Sequence, residues 1–329
     1  MTKAAFFGPM QQIERVYAQG RREILESRAD FYPHLITEHD FDAHAPQLGE
    51  VEAIFSTWGM PTLSPTQIAQ LPNLRAVFYA AGSVQRFARP FLERGILVVS
   101  GWAANGVPVA EWTLAQILLA NKSYFRNERG LRAARSRKDV VVGRGNFGAT
   151  VSLLGAGAIG RLVIELMRPF HLEICVFDPF LSDQTAAALG VEKVTLDEAF
   201  ARGAVVSNHL ANLPATVGMV TGAHFASMRP DATFINTGRG ATVRETEMIE
   251  VLQNRPDLTA LLDVTHPEPP RENSPLWKME NVFLTSHIAG SIGDEVVRMA
   301  DYMIEEFEAW QSGKALRYGV SLEMLETMA

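Results

Sequence analysis

Short apolar runs alternate with helix-length amphipathic segments along almost the whole chain. In the first hundred residues the runs are AAFFG (4–8), VEAIFST (51–57), RAVFYAAG (75–82) and ILVVSG (96–101). Segments such as SPTQIAQL and RPFLERG between them have helical character. A second series follows: ATVSLLG (149–155), EICVFD (173–178), AVVSNHL (204–210), ATFINTG (232–238), LTALLDV (258–264) and NVFLTSH (281–287). Runs this short and this continuously apolar predict strands buried on both faces, as parallel sheets require. Between the two series, VPVAEWTLAQILLANKSYF (107–125) predicts one long helix, its apolar positions falling at Val109, Trp112, Leu114, Ile117, Leu118 and Leu119. A last helix is expected over about 291–312, stopped by Gly313. The pattern predicts an α/β fold of two doubly wound parallel sheets.

With 329 residues the chain is long enough for two domains. Its apolar and charged fractions are those of an ordinary globular protein. The formal net charge of -7 is spread along the sequence, which argues against nucleic acid or an anionic membrane as main partner. One basic stretch, RNERGLRAARSRK (126–138), departs from this and reads as a solvated helix face. No apolar run is long enough to span a bilayer, and the first residues lack the apolar core of a signal peptide. The single cysteine, Cys175, rules out an internal disulfide and suggests a reducing compartment, so a cytoplasmic location is expected. The histidines are scattered without ligand-like pairing, so no metal is implied.

The first run of the second series ends in Gly155-Ala156-Gly157-Ala158-Ile159-Gly160 and continues as a helix. In this G-x-G-x-x-G spacing Gly155 permits a tight turn, Gly157 lets the backbone approach a pyrophosphate, and Gly160 lets the helix pack close to the sheet. Free amides at the helix start would face the phosphates. The next strand ends at Asp178, 18 residues beyond Gly160. A carboxylate there accepts ribose hydroxyls and repels an extra phosphate, so NAD is expected rather than NADP. Six strands around this loop make a full dinucleotide-binding sheet.

Three further strands end in polar residues. Arg239 follows ATFINTG, Asp263 ends LTALLD with Glu268 in the proline-rich loop beyond, and His287 ends NVFLTS. Carboxyl ends of strands line the ligand crevice of an open α/β sheet, so these side chains are expected to converge beside a nicotinamide. The matching chemistry is hydride transfer to a ketone. Imidazole can give and retake the proton on oxygen, a neighbouring carboxylate favours its charged form, and a guanidinium can hold a substrate carboxylate through two parallel hydrogen bonds. Each residue also has a bland reading: a hydrogen-bonded structural histidine, a surface ion pair, a solvated loop charge.

With these motifs in place the chain resembles the NAD-dependent D-isomer-specific 2-hydroxyacid dehydrogenases, a family that includes phosphoglycerate, glyoxylate/hydroxypyruvate and D-lactate dehydrogenases. The similarity runs from about Val51 to Gly313, carried by LLGAGAIGR, MRPDATFINTGRG, LDVTHPEPP and TSHIAG; the first fifty residues match poorly. The resemblance implies a Rossmann NAD-binding domain (107–291) inserted in a flavodoxin-like substrate domain (1–106 plus 292–329), with a cleft that closes on the substrate. It implies His287 as general acid/base, Glu268 as its partner and Arg239 as the substrate clamp. Gly155, Gly157, Ala158, Ile159, Gly160, Asp178, His209, Leu210, Ala211, Thr237, Asp263 and Gly290 are implied as cofactor contacts. Ala81, Gly82 and Ser83 are implied near the substrate carboxylate, with Asn105 and Gly106 at the crevice. The implied substrate is a small 2-keto or D-2-hydroxy acid, and the stretch 107–138 corresponds to the family's dimer region, so a homodimer is expected. The chain departs from the pattern at Ala158, where an arginine is frequent, at Ala211-Asn212, at Val84-Gln85 and at Trp102, which either caps an apolar substrate or packs between the domains, packing being the favoured reading. Two other readings of the same scaffold stay open: an NAD(H)-sensing, corepressor-like binding protein, and a formate or phosphonate dehydrogenase.

Overall fold

A computed structural model describes residues 1–138 and 140–328. The chain divides into two compact units: unit 1 is Met1–Gly106 with Ser291–Ala329, and unit 2 is Val107–Gly290.

Unit 1 is built on a six-stranded sheet. Its strands are β1 (Thr2–Phe7), β2 (Ala29–Phe31), β3 (Ala53–Ser56), β4 (Ala76–Tyr79), β5 (Leu97–Ser100) and, from the end of the chain, β13 (Gly319–Val320). The order is β13-β5-β4-β3-β1-β2. Strands β1 to β5 are parallel in the flavodoxin-like order 2-1-3-4-5. The two-residue β13 pairs antiparallel with Val98 and Val99 of β5. Register explains the core: Phe6, Phe55 and Phe78 stand side by side on neighbouring strands and so share one face. The helix Val297–Gln311 inserts Phe307 against that row, edge-on to Phe55 and Phe78 at 5.0 and 5.4 Å between ring centroids.

Unit 2 has seven parallel strands: β6 (Thr150–Leu154), β7 (Glu173–Phe177), β8 (Glu192–Lys193), β9 (Val205–Asn208), β10 (Thr233–Asn236), β11 (Thr259–Leu262) and β12 (Val282–Leu284). Their order is β12-β11-β10-β9-β6-β7-β8. The chain winds outward from β6 to β8, then returns to β9 on the other side of β6. That reversal is the topological switch point at which doubly wound sheets bind nucleotides. Each strand feeds two cores. Leu154, Val206, Phe234, Ala260 and Leu262 pack on one face, while Val151, Leu153, Val205, Ile235 and Leu261 pack on the other. This two-sided burial is why the strands read as continuous apolar runs.

The helix expected over 107–125 is Trp102–Asn121, starting five residues early and ending early. Pro108 lies inside it, and Ala103, Ala104 and Asn105 before that proline carry no apolar period, which hid the first turns. Ser123 then adopts a left-handed conformation, and a second helix, Tyr124–Ala134, follows. Trp102 packs within unit 1, its ring edge-on to Tyr318 at 6.0 Å.

Replacing Phe307 by alanine should cost about 3–5 kcal/mol, because three rings lose a fully buried partner. Urea denaturation will report this as a lower midpoint; a loss under about 1 kcal/mol would mean that the aromatic row does not organise unit 1.

Candidate active site

In unit 2 the cofactor loop leaves β6 and meets the segment leaving β9 at the switch point. Gly155 has φ +101°, and a Cβ there would stand 3.1 Å from the His209 carbonyl oxygen. A Cβ on Gly160 would collide with the Gly155 carbonyl, whereas one on Gly157 would meet nothing within 4 Å. The first and third glycines therefore answer to close packing, and the middle one faces open space. Ala158 and Ile159 open the helix Ala158–Met167, whose N-cap Gly157 offers no capping side chain. Its first-turn amides remain free for an anion. Asp178 sits beside the loop: one carboxylate oxygen accepts the Ala156 amide at 2.7 Å and the other the Phe180 amide at 2.7 Å. These are the elements a dinucleotide needs, so the residues fit NAD.

Beyond β9, His209 bridges polar neighbours. Its Nε2 lies 3.0 Å from the Ser207 hydroxyl and its Nδ1 3.4 Å from the Thr237 hydroxyl, which also lies 3.3 Å from that of Thr113. Burial pushes the imidazole down to about 4, so it is neutral near pH 7 and serves as a fixed hydrogen-bonding group. The Leu210 amide donates to Asn208, and the Ala211 carbonyl accepts from the Thr216 hydroxyl; both turns shape the edge of the crevice.

Arg239 stands between two glycines for a steric reason. A Cβ on Gly238 would press on the Asn208 carbonyl at 3.0 Å, and one on Gly240 would collide with Thr265. Only glycines let the Arg239 segment pass between the β9 loop and the loop carrying Glu268. The guanidinium is part-buried and donates to the Gly238 carbonyl at 2.8 Å. Burial lowers its pKa from the ordinary arginine value, and the charge of Glu268 opposes that shift. The Glu268 loop is held in turn by Glu245, which accepts the His266 amide at 3.0 Å, and by the Thr265 hydroxyl, which donates to Pro267. Burial raises the Glu245 pKa, with the His266 amide acting against it.

His287 and Glu268 meet. Nδ1 of the imidazole lies 2.6 Å from Oε1 of the carboxylate, and both side chains stay about half exposed. A carboxylate only accepts, so Nδ1 carries the hydrogen and Nε2 is left for chemistry. His287 adopts φ +61°, a left-handed conformation unusual for a residue with a side chain. Asp263 holds it there. Its carboxylate, 4% exposed, accepts the Thr285 hydroxyl at 2.6 Å, the Ile288 amide at 2.8 Å and the Ala289 amide at 3.0 Å. The visible task of Asp263 is thus to clamp the histidine loop, and that role was missed in the sequence, as was Thr285. Gly290 lies in the bend just beyond.

Within unit 1, Ala81 is fully buried, Gly82 is partly exposed and Ser83 exposed. The Ser100 hydroxyl donates to the carbonyls of Ala81 and Gly82, while the amides of Gly82 and Ser83 have no backbone acceptor among the described residues. Asn105 borders Gly82 and accepts the Ser291 amide at 3.0 Å. Gln85 donates to the carbonyls of Leu325 and Met328. Among the described residues no cluster of three or more His, Cys, Asp or Glu could hold a metal, and no helix is long and apolar enough to cross a membrane.

A doubly wound parallel sheet with a built dinucleotide loop at its switch point defines an NAD-binding domain. The family model of the D-isomer specific 2-hydroxyacid dehydrogenase NAD-binding domain matches residues 114–289, and the chain belongs to that family. D-3-phosphoglycerate dehydrogenase of Mycobacterium tuberculosis is 32% identical over 234 residues, 71% of this chain and 44% of the relative. The enzyme of the same name from Archaeoglobus fulgidus is 27% identical over 234 residues, with the same shares covered. The chain spans about half the length of the curated relatives it matches. Among solved structures, apo D-mandelate dehydrogenase of Rhodotorula graminis superposes with a TM-score of 0.83 at 21% identity, 97% of each chain being covered. A glyoxylate reductase from Paecilomyes thermophila gives 0.75 at 21% identity, with 98% of this chain and 99% of that one covered.

A pH prediction follows from His209. Its native pKa lies below its unfolded value, so between about pH 6.5 and 4 the unfolded state binds the extra proton and stability falls as pH falls. His209→Gln, which cannot titrate, should remove up to roughly 3 kcal/mol of that pH-dependent loss. Denaturation midpoints from pH 7 to 4 check this; parallel curves for the two proteins would refute the buried neutral imidazole.

Proposed function

We propose that the protein interconverts a small 2-keto acid and its D-2-hydroxy acid with NAD(H). The single observation that carries this reading is the 2.6 Å contact between His287 Nδ1 and Glu268 Oε1, formed at the carboxyl end of a sheet that also carries Arg239 and the dinucleotide loop. Bound NADH supplies the hydride. His287 gives its Nε2 proton to the ketone oxygen and takes it back in the reverse direction. Glu268 accepts from Nδ1 and so fixes the ring with Nε2 directed to the chemistry. Arg239, drawn partly out of water, grips the substrate carboxylate through its terminal nitrogens. The family supports a 2-hydroxy or 2-keto acid as substrate class.

A homodimer belongs to the same proposal. The helix Tyr124–Ala134 buries no residue, and Tyr124 and Leu131 on it are 50% and 43% exposed. A second copy covering this helix would remove those side chains from water. Light scattering on the purified chain should give twice the monomer mass; a monomer at micromolar concentration would end this part.

The enzymatic test follows NADH absorbance across glyoxylate, hydroxypyruvate, pyruvate and larger 2-keto acids, with formate and phosphonate assayed in the oxidative direction with NAD. At least one 2-keto acid should be consumed. His287→Ala should lower that rate by about 10²-fold or more while NADH affinity stays within a few-fold. Asp178→Ala should instead weaken NADH binding and relax discrimination against NADPH. Silence with every 2-keto acid would shift the reading to a nicotinamide sensor, and a His287→Ala enzyme with most of its activity would overturn the proton-donor assignment.

A further inference from the structure

We infer that Arg161 is the pyrophosphate-binding cation of this chain, standing in for the side chain that position 158 lacks. The inference rests on the NAD-binding domain and concerns a residue outside the G-x-G-x-x-G spacing.

Three observations converge on it. First, position 158 is alanine, so the helix start offers amides and no side-chain charge there. Second, the loop has fewer free amides than its sequence suggests, because the Ala156 amide is taken by Asp178 at 2.7 Å. A dianionic pyrophosphate over this loop then has the first-turn amides of the helix and no side-chain cation from position 158. Third, Arg161 is folded back over the same turn. It lies three residues after Ala158, on the same helix face, and helical side chains lean toward the N-terminus. Its Nε donates to the Ala156 carbonyl at 2.8 Å, which anchors the guanidinium at the glycine loop. Asp178, the Ala156 peptide and Arg161 thus form one hydrogen-bonded chain from the ribose acid to the cation.

The rest of the guanidinium is unspent. Arg161 forms no ion pair among the described residues, whereas Arg168, just past the end of the helix, pairs with Glu165 at 2.7 Å. Space is available, since a side chain built on Gly157 would meet nothing within 4 Å. The two terminal nitrogens can give charge-assisted hydrogen bonds to phosphate oxygens, and the positive end of the helix dipole adds to their field.

The test is ligand affinity by calorimetry or by NMR titration, with no turnover required. Arg161→Gln removes the guanidinium and its charge at an exposed position while leaving a polar side chain. NADH and ADP-ribose should bind this variant about tenfold more weakly than the original chain, and the salt dependence of NADH affinity should flatten. Adenosine, which lacks the pyrophosphate, should bind both proteins equally. Ala158→Arg placed in the Arg161→Gln background should recover most of the lost NADH affinity, because a guanidinium returns to the same turn. Unchanged NADH affinity in Arg161→Gln would overturn the inference while leaving NAD binding intact. An equal loss for adenosine would overturn it too, since Arg161 would then act by shaping the loop.

Discussion

The carboxylate of Asp263 accepts three hydrogen bonds from one stretch of chain, Thr285 to Ala289, and the placing of His287 against Glu268 depends on that clamp. The left-handed backbone of His287 costs on the order of 1–3 kcal/mol. Hydrogen bonds to a charged acceptor contribute about 1.5–3 kcal/mol each, so three of them outweigh the strain. Without the clamp the chain would relax toward an ordinary extended conformation, and the imidazole would leave Glu268. Asp263 also closes β11, whose register with β10 and β12 is set by buried apolar side chains. Packing of the sheet is thereby converted into the direction of one exposed side chain.

Steric clearance does comparable work around Arg239 and the cofactor loop. Gly238 and Gly240 allow two neighbouring loops to close on either side of the arginine, and Gly155 allows the first turn of the cofactor loop to touch the backbone of His209. These contacts join segments that leave β6, β9, β10 and β11. Any side chain at those positions would push apart the backbones that the strand order had brought together. Fold topology chooses which loops are neighbours, and the glycines set how near they come.

Much of this was readable in advance, for physical reasons that differ by residue. The strands of both long series are buried on two faces, so their apolar runs are nearly uninterrupted and visible. The G-x-G-x-x-G spacing and Asp178 were visible because each has a local steric or electrostatic cause. Three strands were not: Ala29–Phe31, Glu192–Lys193 and Gly319–Val320 lie at sheet edges, are two or three residues long and carry no alternation. Their pairing is decided by the strand beside them. The early start of the helix at Trp102 was hidden by Ala103, Ala104 and Asn105, which carry no apolar period. The clamp by Asp263 was hidden because its partners lie 22 to 26 residues away, and nothing local marks Thr285 as a donor. The resemblance pointed to a cofactor contact for Asp263; the geometry adds its hold on the histidine loop.

The His287–Glu268 pair and its supports differ in burial, and this difference answers a constraint. Glu268 and His287 are about half exposed, and exposed side chains are free to move. Each is therefore tied to something immobile. Asp263 is buried and fixes the backbone of one, while Glu245, partly withdrawn from water, fixes the loop of the other through the His266 amide. The proton transfer proposed for His287 tolerates little misplacement, so orientation has to come from groups that solvent cannot compete for. A carboxylate out of water holds its donors more strongly than the same carboxylate at the surface. Glu268 at the surface and Asp263 in the core are chemically alike, and their depth in the fold separates what each can hold.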